Sequence, residues 1–153
     1  MQDSAWLYLI GPLAGLGALV VGLSVVPATI SRLGWSALAA AHGAADRPQG
    51  VSYIVRSARF GGFFAAYNNA VRVVFTPRGA HLSMVLPFML GHRPFMLPWA
   101  ALVREGREPA WFGERYVVEF DDPAGRVVLR LPVAAQAAQA ALRAARGPGP
   151  AAA

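Results

Sequence analysis

The sequence predicts an α+β chain: a long apolar N-terminal helix, then an antiparallel β-barrel or sandwich capped by a C-terminal helix. Three observations carry this. Between Asp3 and Arg32 there is no charged residue. From Val51 to Leu131 the apolar period becomes two, with Gly- and Pro-bearing turns between the runs. Residues 133–146, VAAQAAQAALRAAR, are nearly all strong helix formers. The chain therefore divides into an apolar helix (1–30), a short helix with a linker (31–49), a β-domain with its terminal helix (50–146) and a tail (147–153).

The apolar run comes first. Charged residues make up only 14% of the chain, roughly half the usual share. Trp6 to Val26 supplies the roughly 20 helical residues that a bilayer core of about 30 Å requires, with Trp6 and Tyr8 at belt positions. Pro12 bends the entrance and Pro27 ends the run. A cleaved signal peptide fits less well, because MQDS carries no Arg or Lys and the run is about twice an ordinary h-region. The expectation is a membrane-spanning helix. Basic residues follow the run and none precedes it, which places the N-terminus outside and the remainder in the cytoplasm. Within the run, Gly11, Gly15, Ala18 and Gly22 form a small-residue stripe through which two such helices could self-associate into a homo-oligomer.

Next, SRLGWSALAAAHGAADRPQG reads as a short helix and linker, with Trp35, Leu38 and His42 on one face. VSYIVRSARF alternates loosely. In AVRVVFT, Val71, Val73 and Phe75 share a face; PRG at 77–79 turns the chain; AHLSMVLPFML then places Leu82, Met84, Leu86 and Phe88 on one side. WAALV is a short strand or a helical turn, and REGREPAWFG a polar loop. ERYVVEF and RVVLRL form a second hairpin across DDPAG, with Tyr116, Val118 and Phe120 facing Val127, Leu129 and Leu131 inward. Strands that must hide their edges in so small a domain favour closure into a barrel, with the Ala-rich helix as a plug.

The order YNNAVRVVFTPRGAHL, FMLGHRPFMLPWAAL, YVVEF and VVLRL, followed by a terminal helix, resembles the bacterial pleckstrin-homology-like and GRAM-like small domains over roughly residues 50–146. The resemblance rests on Gly79 at a strand turn, on His92-Arg93-Pro94, and on the Leu97-Pro98-Trp99 corner. It implies the fold and a tether to the bacterial inner membrane as a single-pass protein. It does not extend to phosphoinositide binding, since no dense Lys/Arg loop is present.

HRPFMLPWAAL, residues 92–102, admits two readings. Pro94 and Pro98 cannot donate ladder hydrogen bonds and hold Arg93 and Leu97 extended, so with Trp99 they make a structural corner. The rival is an aromatic-lined groove for a peptide or lipid tail, with His92 and Arg93 contacting an anionic headgroup. His42, His81 and His92 lack the spacing of a metal site, no serine lies in G-x-S-x-G, FGGFF is not a phosphate loop, and Asp121–Asp122 is a turn signal. No enzyme, cofactor or metal is expected.

Past the apolar run, fourteen arginines stand against seven acidic residues. They are scattered, which disfavours nucleic acid, yet such a domain is drawn to an anionic membrane. The sequence therefore points to a membrane-anchored, non-catalytic binding or scaffolding module for a protein or peptide partner. Its alternatives are anionic-lipid recognition through Arg56, Arg59, Arg93 and Arg104, and a structural subunit of a membrane complex.

Overall fold

The computed structural model of the chain describes residues 12–16, 19, 34–44, 48–61, 66–86, 88–89, 91–111, 113–132 and 135–147. Helix α1 (Trp35–His42) precedes four strands, β1 (Ser52–Phe60), β2 (Tyr67–Thr76), β3 (Gly79–Met84) and β4 (Phe95–Pro98). A single 3-10 turn, Trp99–Ala101, leads into β5 (Leu102–Pro109), β6 (Glu114–Asp122) and β7 (Gly125–Leu131), and α2 (Ala135–Arg146) follows. The strands form one antiparallel sheet in the order β4-β3-β2-β1-β7-β6-β5, with β1 joining its two halves.

The sheet is curled. Trp99 stacks against Phe75 of β2 at 6.0 Å and Phe120 of β6 at 6.2 Å, although β1 and β7 lie between those strands. One ring reaches both only if the sheet bends round it. The result is a half-barrel whose edges, β4 and β5, are linked by the 3-10 turn. Pairs such as Val73↔Leu82 and Phe120↔Val127 set the register that turns one apolar set inward. Val71, Val73, Leu82, Leu97, Val118, Phe120, Val127, Leu129 and Leu131 are fully buried in a single core. Trp35 and Leu38 of α1 and Leu142 of α2 enter the same core from the helices.

Two turns explain the register. At the β2–β3 turn the Thr76 hydroxyl donates to the Gly79 carbonyl at 2.9 Å, and Gly79 has φ 155°. A Cβ on Gly79 would overlap the Leu97 carbonyl oxygen on β4, so close strand approach as well as backbone conformation demands glycine. At the β6–β7 turn the Ala124 N–H donates to Asp122 Oδ1 at 2.9 Å, the local bond that makes Asp a turn former.

Three expectations are corrected. In the apolar N-terminal run the described residues are Pro12–Leu16 and Leu19, all helical, and among the described residues no helix is long and apolar enough to cross a membrane. Apolar composition meets only one condition for a span, the other being an unbroken hydrogen-bonded helix of about 20 residues. The single-pass anchor is not supported, and the inner-membrane placement with an outside N-terminus falls with it. Second, β3 stops at Met84: Leu86 and Phe88 are exposed rather than inward, as Pro87 has no N–H to continue a ladder. Third, REGREP is no loop but most of β5, paired with β6 from Leu102↔Phe120 to Pro109↔Glu114. Pairing with a neighbouring strand overrides the weak strand propensity of Glu and Gly.

Candidate functional site: the cleft between α1 and the β3–β4 loop

Helix α1 is short and apolar, so its position depends on what its side chains reach. Trp35, fully buried, packs edge-on against Phe95 at 4.8 Å, Phe60 at 5.0 Å and His92 at 5.3 Å. Its indole N–H donates to the Arg93 carbonyl at 2.8 Å, which leaves no orphan donor in the core. One turn on, Leu38 is buried beside Gly125. At the helix end the His42 Nε2 bonds Asp122 Oδ2 at 2.9 Å, tying α1 to the β6–β7 turn. Burial would raise the Asp122 carboxyl, but the Ala124 N–H and the His42 ring outweigh it and hold it below the usual carboxylate range. After the helix, Ala44 N–H donates to Pro94 O at 3.1 Å and Gly43 bridges Phe95, so this segment covers the start of edge strand β4.

Between α1 and the loop before β4 lies a cleft of about 510 Å³. Ser36, Ala39 and Ala40 line one wall; Met89 and Gly91 to Pro94 line the other. The size falls within the ordinary range for a ligand site, about 300–1,000 Å³. His92 forms part of the floor and is only 4% exposed, with Nε2 3.1 Å from the Tyr67 hydroxyl. Burial pushes the Tyr67 phenol up to about 12, so it stays protonated and can donate to that nitrogen. Met89 lines the cleft and is 53% exposed, and Leu86 and Phe88, on the same loop, are exposed by 79% and 44%. Arg93 is exposed at the mouth.

The structure thus brings His92 and Arg93 to one cleft in different states, one a floor residue and the other a rim cation. Arg56 and Arg59 lie elsewhere, exposed on the outer face of β1. Arg104 stands on edge strand β5, within 3.1 Å of Glu108 and 4.0 Å of the buried Glu119, which also pairs with Arg126. Register places Arg59 and Arg104 in one cross-strand row on the outer face of the sheet, through Val128 and Glu119, whereas Arg93 stands at the cleft. Pro94, Pro98 and Trp99 bound edge strand β4; Pro98 ends it, and the Trp99 N–H donates to the Thr76 carbonyl at 2.9 Å, pinning the 3-10 turn to β2. His81 sits apart on β3, buried, with Nε2 lacking a hydrogen-bond partner and the ring held below its ordinary pKa by desolvation. Of the small-residue stripe, Gly11, Ala18 and Gly22 lie outside the described residues, and Gly15 is exposed.

Sequence reasoning missed the alanine wall of the cleft, because Ala39 and Ala40 look like any helix formers. It also missed the His42–Asp122 tie, whose partners are 80 residues apart; the one available signal was Trp35, Leu38 and His42 sharing a helical face. Compared with protein-family models, curated proteins and solved structures, the chain matches none. The resemblance to pleckstrin-homology-like domains is accordingly corrected to what the architecture supports, a curled seven-stranded antiparallel sheet with a C-terminal helix.

Proposed function

We propose that the protein is a non-catalytic binding module that docks a peptide segment of a protein partner in the cleft between α1 and the β3–β4 loop. The observation that carries this reading is the composition of the cleft: Ser36, Ala39 and Ala40 on one wall, Met89, Gly91 and Pro94 on the other, a buried His92 held by Tyr67, and the exposed guanidinium-bearing Arg93. Apolar side chains exposed together on one loop mark an interaction surface far better than singly scattered ones do. Arg93 and the net charge of +6 favour a segment with an apolar anchor beside an acidic residue. Of the four candidate arginines, Arg93 lines the cleft while Arg56 and Arg59 stand on β1 and Arg104 on β5, which supports this reading over lipid-headgroup recognition in the cleft, where converging cations are needed.

Selection of a displayed random-peptide library against the full chain tests it. Enriched peptides should share an apolar residue next to Asp or Glu. Ala40→Trp, which fills the cleft from an exposed helix position, should weaken their binding about tenfold or more, equivalent to about 1.4 kcal/mol. Arg93→Glu should select against the acidic residue. Enrichment of peptides whose binding ignores Ala40→Trp would refute the site.

A further inference from the structure

Strand β5 is the open edge of the sheet. It pairs with β6 on one side, and among the described residues no strand lies on the other. The Ala110 N–H donates to the Gly113 carbonyl at 2.8 Å and closes the β5–β6 hairpin. In an antiparallel ladder the backbone groups alternate in direction. Glu108, Gly106 and Arg104 therefore aim theirs at β6, while Glu105, Arg107 and Pro109 aim theirs outward. Pro109 has no N–H to leave unpaired there, as befits an edge. Glu105 and Arg107 present a donor and an acceptor each.

The residues along this edge read Arg104-Glu105-Gly106-Arg107-Glu108. An antiparallel strand laid on itself about a two-fold axis through Gly106 pairs each residue with the one equally far beyond the axis. Arg104 then faces Glu108 of the second copy, and Glu105 faces Arg107. All four charged pairs formed in this way are opposite in sign. The glycine lies on the axis, where two backbones meet most closely. Moving the axis one residue either way sets Glu105 against its own copy or Arg107 against its own copy. Like charges directly opposite are destabilising across strands, so the pattern favours one register and disfavours its neighbours. The Arg104 and Arg107 side chains are 55% and 53% exposed, in reach of a second chain despite their contacts to Glu108 and Glu114.

We propose that β5 is a self-association edge: a second copy of this chain pairs with it antiparallel about Gly106, through four backbone hydrogen bonds and the complementary Arg104–Glu108 and Glu105–Arg107 pairs. The interface is separate from the cleft, so a dimer presents two cleft sites.

The chain contains no cysteine, which makes the two-fold axis directly testable. Gly106 tolerates a side chain, since a Cβ there meets nothing within 4 Å. In the proposed register two copies of residue 106 form a pair with Cα atoms about 4.5 Å apart, inside the disulfide range of about 4.4–6.8 Å. Copies of Val103, also exposed, would be six residues out of register and about 20 Å apart. Under mild oxidation of the full chain, Gly106→Cys should form a covalent dimer about tenfold faster or more than Val103→Cys. Two further variants carry Arg104→Glu with Gly106→Cys and Glu108→Arg with Gly106→Cys. Alone, each sets like charges opposite and should crosslink about tenfold more slowly. Mixed, they regain opposite charges, and the mixed dimer should dominate. Equal crosslinking at 103 and 106, or a statistical mixture of the two charge variants, would overturn the proposal.

Discussion

Replacing Trp35 with Ala should detach α1 from the β-core and remove one wall of the cleft. The indole is fully buried against Phe60, Phe95 and His92, with centroids 4.8–5.3 Å away. Truncating a buried aromatic of this kind costs about 3–5 kcal/mol, from lost transfer energy and the cavity left behind. Against a total stability of about 5–15 kcal/mol, that is a third or more for most values in the range. At this size each kcal/mol moves Tm by about 2–4 °C, so the expected drop is about 6–20 °C. Trp35→Phe separates packing from hydrogen bonding. It keeps a ring but loses the indole N–H donated to Arg93, and should cost about 1–2 kcal/mol. Urea unfolding followed by circular dichroism reads both values. A loss below about 1 kcal/mol for Trp35→Ala would mean that α1 is not part of the core.

Three further perturbations follow from single observations. Gly79→Ala places a Cβ on the Leu97 carbonyl at a positive φ and should cost about 2–4 kcal/mol, whereas Gly106→Ala on open edge strand β5 should cost about 1 kcal/mol or less, both read by thermal unfolding. His81 has its pKa lowered by desolvation, so the unfolded chain takes up its proton first. Its contribution is complete above pH about 6.5 and is lost as pH falls through the lowered value; His81→Leu should abolish that segment of the stability–pH curve. Asp122 is held below its ordinary pKa of 3.8, so its contribution is present above that pH and lost in stronger acid. Asp122→Asn should remove this acid-sensitive step and loosen the end of α1, seen as faster amide exchange at Ala41 and His42.

Elements whose chemistry repeats locally were legible in the sequence. β6 and β7 announce themselves by Tyr116, Val118 and Phe120 facing Val127, Leu129 and Leu131 across a Asp-Pro turn, and all six are buried. Trp99 stood out because two prolines constrain its approach, and the chain there makes the 3-10 turn between β4 and β5. Strand β5 was not, because REGRE has the composition of a solvated loop and becomes a strand only when β6 lies beside it. The N-terminal run misled for a related reason: uncharged apolar composition states what a segment avoids, which is only one of the conditions for a span. The cleft was legible only in half. His92 and Arg93 stood out by residue type, but the opposing wall is alanine, and its place depends on Trp35 reaching Phe60 and Phe95, two contacts distant in sequence.

The most direct measurement is an amide chemical-shift titration of the labelled full chain with a library-selected peptide. Binding in the cleft should shift Ser36, Ala39, Ala40, Gly91, His92 and Arg93 together, and Ala40→Trp should suppress the whole set. Shifts centred instead on Arg56 and Arg59 of the outer β1 face, with the cleft residues unmoved, would contradict the account.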